Sequence, residues 1–154
     1  FVHHDARDLP VVELPGVHVR VIAGEAFGIR SAVTTSSALC YAHLELRSGG
    51  RVTMPDSHPE RAIYAASGAV EIDGVALRAG QMALLTAGTE ARVECSAAAT
   101  LMLLAGEPVG PRHVWWNFVT SSRERMEAAK QRWRDGGFAL PAGDDQEFIP
   151  LPDR

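Results

Sequence analysis

Short runs of alternating apolar and polar residues, each closed by a glycine, fill most of this chain and leave it few folds to choose from. Val17, Val19 and Val21 alternate with His18, Arg20 and Ile22, and Gly24 ends the run. In Tyr41-Ala-His-Leu-Glu-Leu-Arg47, Leu44 and Leu46 share one face while His43, Glu45 and Arg47 share the other. A period of two marks a half-buried strand, because successive side chains leave opposite faces of the pleat. Gly49-Gly50 turns the chain, residues 62–66 lead to Gly68, and residues 70–77 read as a hairpin centred on Asp73-Gly74. Asp-Gly supplies the positive φ angles of a two-residue primed turn. Further turns stand at Arg78-Ala-Gly80 and Thr86-Ala-Gly-Thr-Glu90, and the apolar run Thr100-Leu-Met-Leu-Leu104 predicts a strand buried on both faces. Many short strands spaced by glycine turns predict an antiparallel sandwich or barrel over residues 17–108.

The flanks differ. Residues 1–16 are polar and hold Pro10 and Pro15, which read as an extended lead-in or linker. From residue 109, Val114, Trp116 and Phe118 alternate with Trp115, Asn117 and Val119 as a C-terminal strand. Ser121 precedes Glu124 by three residues, the spacing of a capping box, and predicts a helix over about 122–135. Met126, Ala129, Lys130 and Trp133 form its less polar stripe, and Gly136-Gly137 supplies the stop. Pro141, Pro150 and Pro152 keep the remainder extended.

Composition narrows the function. A formal charge of -4 disfavours nucleic acid as an electrostatic partner. No apolar run approaches the ~18 residues that span a bilayer. Two cysteines, Cys40 and Cys95, are too few for a disulfide framework and suit a reduced, cytoplasmic setting. The opening Phe-Val-His-His-Asp has neither an initiator methionine nor the regions of a signal peptide, so the chain is expected to begin inside a longer one.

No catalytic residue stands out. Cys40 and Cys95 lie in apolar strand patterns as small hydrophobes, and no nucleophile elbow or phosphate loop occurs. Of six histidines, His3 and His4 lie in the lead-in, while His18 and His43 alternate with apolar strand positions. The nearest approach to a metal motif is His58-Pro-Glu60, whose two ligands would share a strand face. Two ligands do not make a site, and no later histidine follows in the barrel region. Trp115, Trp116, Phe118 and Trp133 form the other notable cluster, read as internal packing or as an interaction surface.

The segment from His113-Val-Trp-Trp-Asn-Phe-Val-Thr-Ser-Ser through Trp133 resembles the C-terminal signature of bacterial pirin-family proteins. Val19-Arg-Val-Ile-Ala-Gly24 with Ala26-Phe-Gly28 resembles the opening of that family's second domain, and Asp144-Asp-Gln-Glu-Phe-Ile-Pro-Leu-Pro152 resembles its closing tail. Between them, Ala62-Ile-Tyr-Ala-Ala-Ser-Gly68 through Arg78-Ala-Gly-Gln-Met82 is similar to a cupin strand-turn pattern. The resemblance implies an all-β cupin, a conical antiparallel β-barrel or jelly roll, with one C-terminal helix and an extended tail.

It further implies a protein of two facing cupin barrels, the first holding Fe(II) through a His-x-His pair and a later His and Glu. Such proteins are quercetin 2,3-dioxygenase-like enzymes or iron- and redox-sensing transcriptional co-regulators. This chain resembles only the second barrel. Asp56 and His58 stand where first-motif histidines would, Ala62 or Ile63 where the glutamate would, and Ala91 where the last histidine would. No cofactor is therefore expected in this chain. Its expected partner is its own N-terminal cupin domain, with a homo-oligomer possible for the isolated domain and neither nucleic acid nor membrane. The competing readings are a stand-alone metal-dependent cupin enzyme using His58, Glu60 and His43, and a pure interaction module.

Overall fold

Alternation decides where the strands lie. In the computed structural model, which describes residues 2–152, the alternating valines of the first run are buried: Val17, Val19 and Val21 are each at most 1% exposed. They belong to β2 (Val17–Ala26), which follows β1 (Val11–Leu14) and precedes β3 (Ile29–Arg30), β4 (Leu39–Leu46) and β5 (Arg51–Met54). Then come β6 (Glu60–Ser67), β7 (Ala69–Ile72), β8 (Val75–Arg78), β9 (Met82–Leu84), β10 (Ala91–Glu94) and β11 (Ala99–Gly106). The C-terminal residues form β12 (His113–Trp115), β13 (Phe118–Thr120) and α1 (Arg123–Arg134). Contacts divide the chain into two units, His3–Pro108 and a second from Val109 onward that includes Val2.

The first unit is an antiparallel jelly roll, as expected. One sheet runs β1-β2-β4-β11-β6-β9 with β3 beside β2, and the other runs β5-β10-β7-β8. Leu44, Ile63, Leu101 and Leu103 from the large sheet meet Val52, Met54, Val70 and Val93 from the small one in a single core. The Asp73-Gly74 hairpin forms as read, with φ of 48° and 82°. Asp73 also accepts a bond from the Arg92 amide at 3.1 Å, fastening the turn to β10.

Four expectations need correction. β11 is central in its sheet, yet it is buried on one face only: Leu103 is 1% exposed and Leu104 39%. Tyr41, Leu104, Leu84 and Met82 lie on the outer face of the large sheet, where nothing in this unit covers them. An apolar run of five residues cannot distinguish double burial from one exposed apolar face. Within the lead-in, residues 11–14 form an edge strand, with Val11 opposite Arg20 and Leu14 opposite Val17. Pro10 and Pro15 bracket it, which an edge tolerates because those positions owe the ladder no donor.

The C-terminal strand is instead a hairpin, with Trp115 opposite Phe118 and the turn at Trp116-Asn117. Trp116 takes φ of 50°, a region where bulky residues are rare, so the sequence carries no turn signal there. The helix begins one residue later than the capping spacing implies. Ser122 is the N-cap, and its hydroxyl accepts a bond from the Arg125 amide at 3.3 Å. Met126 is buried and Gly136 turns the chain with φ of 65°. Phe1, Asp153 and Arg154, at the ends of the expected lead-in and tail, lie outside the described residues.

Candidate functional site

At one end of the jelly roll two loops cross between the sheets. Residues 55–59 join β5 to β6, and residues 85–90 join β9 to β10. Ala91 pairs with Met54 and Leu84 with Ala62, so the two crossings are neighbours. The resemblance places a metal cupin's ligand positions on and beside these loops.

The structure does not assemble ligands there. His58 sits in a bend, half-buried, with Nδ1 3.1 Å from the Ser57 hydroxyl. Glu60 is the exposed first residue of β6, on the strand face opposite the core-facing Ile63. Pro59 lies outside the strand, so the two do not share a strand face as the i, i+2 spacing implied. Beside His58 lies a cleft of about 410 Å³, also lined by Phe27, Arg30, Thr35 and Ser57. Arg30 is paired with Glu25 across the β2–β3 turn.

The other histidines are dispersed. His18 Nδ1 meets Glu13 at 2.5 Å across the β1–β2 pair, and His3 meets Asp5 at 3.1 Å. His43 lies on the outer face of β4 between Arg20 and Met102, with a buried Nδ1 that has no partner. His113 lies exposed in β12 of the second unit. Among the described residues, no three His, Cys, Asp or Glu side chains come together as a metal site requires. Both cysteines are buried in the core; Cys95 donates to the Arg47 carbonyl at 3.1 Å, and burial pushes the Cys40 thiol up to about 11.

What the interior offers at this end is a cation. Arg61 is one of two polar or charged side chains among the buried described residues, 4% exposed, and it follows the core-facing alternation of Ile63 and Ala65. Its Nη1 donates to the Pro55 carbonyl at 2.8 Å, and its Nη2 donates to the carbonyls of Thr86 and Thr89 at 2.5 and 2.6 Å. Arg61 belongs to no metal or catalytic motif, and its only signal in the sequence is an arginine opening the inward period of Arg61-Ala-Ile-Tyr-Ala. A fixed guanidinium among carbonyl oxygens offers no lone pair to a metal, so this interior does not fit Fe(II).

In the second unit the aromatic residues pack on one another. Trp115 and Phe118 stack with centroids 6.5 Å apart, and Trp116 meets Trp133 edge-on at 5.1 Å. Phe138 and Phe148 complete the cluster, 5.8 and 5.7 Å from Trp133, and the Lys130 ammonium lies 4.4 Å above Trp115. From Val109 onward, the large apolar side chains left most exposed are Val114 and Val119, an opposed pair on the hairpin, and Ile149.

The sequence matches the family model of the Pirin C-terminal cupin domain over residues 41–139, which span most of the jelly roll, the aromatic hairpin and the capped helix. The chain belongs to the pirin family. It is 47% identical to a pirin-like protein of Caulobacter vibrioides over 99% of its own length, but spans only 54% of that relative. Two solved structures titled quercetin 2,3-dioxygenase, from Acinetobacter baumannii, superpose with TM-scores of 0.79 and 0.78 at 26% and 28% identity. They cover 88% and 96% of this pirin-family chain, which in turn covers 49% and 52% of theirs. No helix among the described residues is long and apolar enough to cross a membrane.

Proposed function

We propose that this chain is the metal-free cupin of a two-cupin pirin, acting as the structural companion of an iron-bearing barrel. The observation that carries this reading is the occupation of the barrel's interior end by Arg61, with Ile63 and Ala91 in place of side chains able to ligate. The chain spans about half of the relatives it matches, which supports a second domain as its partner. Dioxygenase chemistry on a flavonol, or iron- and redox-dependent co-regulation of transcription in the cytoplasm, then belongs to the complete two-cupin protein.

Metal analysis of the purified chain, paired with oxygen uptake in the presence of quercetin, tests this. The expected result is iron well below one per chain and no uptake above the blank. Tightly held stoichiometric iron that disappears in His58→Ala would overturn it in favour of a stand-alone metal enzyme.

A further inference from the structure

Buried arginines are normally paired with carboxylates, because an unpaired buried charge is strongly disfavoured. Arg61 has no such partner: no Asp or Glu appears in ion-pair contact with it among the described residues. Neutral carbonyl oxygens alone satisfy its guanidinium, and they come from both crossing loops: Pro55 on one side, Thr86 and Thr89 on the other. A second tie runs through the main chain, where the Leu85 amide donates to the Arg61 carbonyl at 2.9 Å. The Thr89 hydroxyl donates to the same Thr86 carbonyl at 3.0 Å, drawing that loop around the cation. Nε is buried without a partner, so the terminal nitrogens alone make the attachment.

We propose that Arg61 is a built-in substitute for a metal ion: a cation ligated by oxygens, fixed to β6, that clamps the two loops where a metal cupin would carry its ligands. The planar guanidinium reaches both loops from separate nitrogens, which a lysine ammonium on one centre does not reproduce. The clamp accounts for how this end of the barrel stays closed without a metal. It rests on the metal-free reading above.

Hydrogen exchange on the full chain, compared with Arg61→Met and Arg61→Lys, tests it. In Arg61→Met, the Leu85 amide, which donates to the Arg61 carbonyl, and the amides at the loop ends of β5, β6, β9 and β10 should exchange about tenfold faster or more, while central amides of β4 and β11 keep their wild-type rates. Arg61→Lys should shift the same amides in the same direction, by less. Unchanged exchange at those amides in either folded variant, or acceleration spread evenly over the barrel, would overturn the clamp. So would failure of both variants to fold when Ile63→Ala does fold, because a clamp confined to two loops is not needed by the whole core. A rise in wild-type Tm with excess Mn²⁺, reversed by EDTA, would instead sink the metal-free reading and leave the exchange result to judge Arg61.

Discussion

The indole of Trp133 donates to the main-chain carbonyl of Ile149 at 2.9 Å, tying the last turns of the helix to a tail with no regular structure of its own. Phe148 stacks on the same indole, so one side chain holds the tail by a polar bond and an apolar contact. Trp133→Phe keeps a ring and deletes the donor. Limited proteolysis should then cut within 139–150 several-fold faster, and Trp133→Ala should accelerate cutting further. Equal cutting in all three proteins would mean that the bond contributes nothing in solution.

Adjacent leucines should respond oppositely. Leu103→Ala removes a side chain 1% exposed in the core and should destabilise by about 2–5 kcal/mol in urea unfolding. Leu104→Ala, on the outer face at 39% exposure, should change stability by less than about 1 kcal/mol. Similar losses at both positions would restore the doubly buried strand.

Gly24 admits no other residue. It takes φ of 75°, and a Cβ there would stand 1.7 Å from the Leu39 carbonyl oxygen. Gly24→Ala combines a clash with main chain and a strained φ, and should destabilise by ~3 kcal/mol or more, read as loss of the folded fraction by circular dichroism.

Helix capping separates two neighbouring serines. Ser122→Ala should destabilise the C-terminal unit by about 1 kcal/mol, while Ser121→Ala should be neutral in thermal unfolding. Glu124, whose own amide, the Ser122 hydroxyl and then His113 hold its carboxyl below the usual range, adds a pH signature. A carboxyl depressed in the folded state contributes stability above its unfolded pKa and loses it as pH falls through the folded one. Glu124→Gln should therefore flatten the acid limb of the unfolding curve.

Cys40 predicts the alkaline limb. Burial holds its thiol at about 11, above the unfolded value, so its contribution is full below the unfolded pKa and fades as pH rises toward 11. The loss should be on the order of 2 kcal/mol and absent in Cys40→Ala. The native thiol should also resist alkylation at pH 8 until the chain unfolds.

Most of the first unit was legible because its signals are local: a period of two in residues 17–21 and 41–47, and Asp-Gly at a hairpin tip. What was missed depended on tertiary placement. Trp116 turns the chain without a turn residue, and β1 becomes a strand only because β2 offers it an edge. At the candidate site, the histidines drew notice for their type, while Arg61 acquires meaning only when residues 25 and 28 positions later in sequence fold back to supply its carbonyls. The pair His58 and Glu60 fails for the same reason: spacing assumed a continuous strand, and Pro59 lies outside it.

An arginine side chain keeps its charge across the whole pH range in which proteins stay folded. Iron can be stripped by a chelator, oxidised by air or lost on acidification, and a barrel mouth closed by iron inherits those liabilities. The mouth closed by Arg61 responds to none of these agents. On the two-cupin reading proposed above, this half would hold its shape in iron starvation and iron plenty alike.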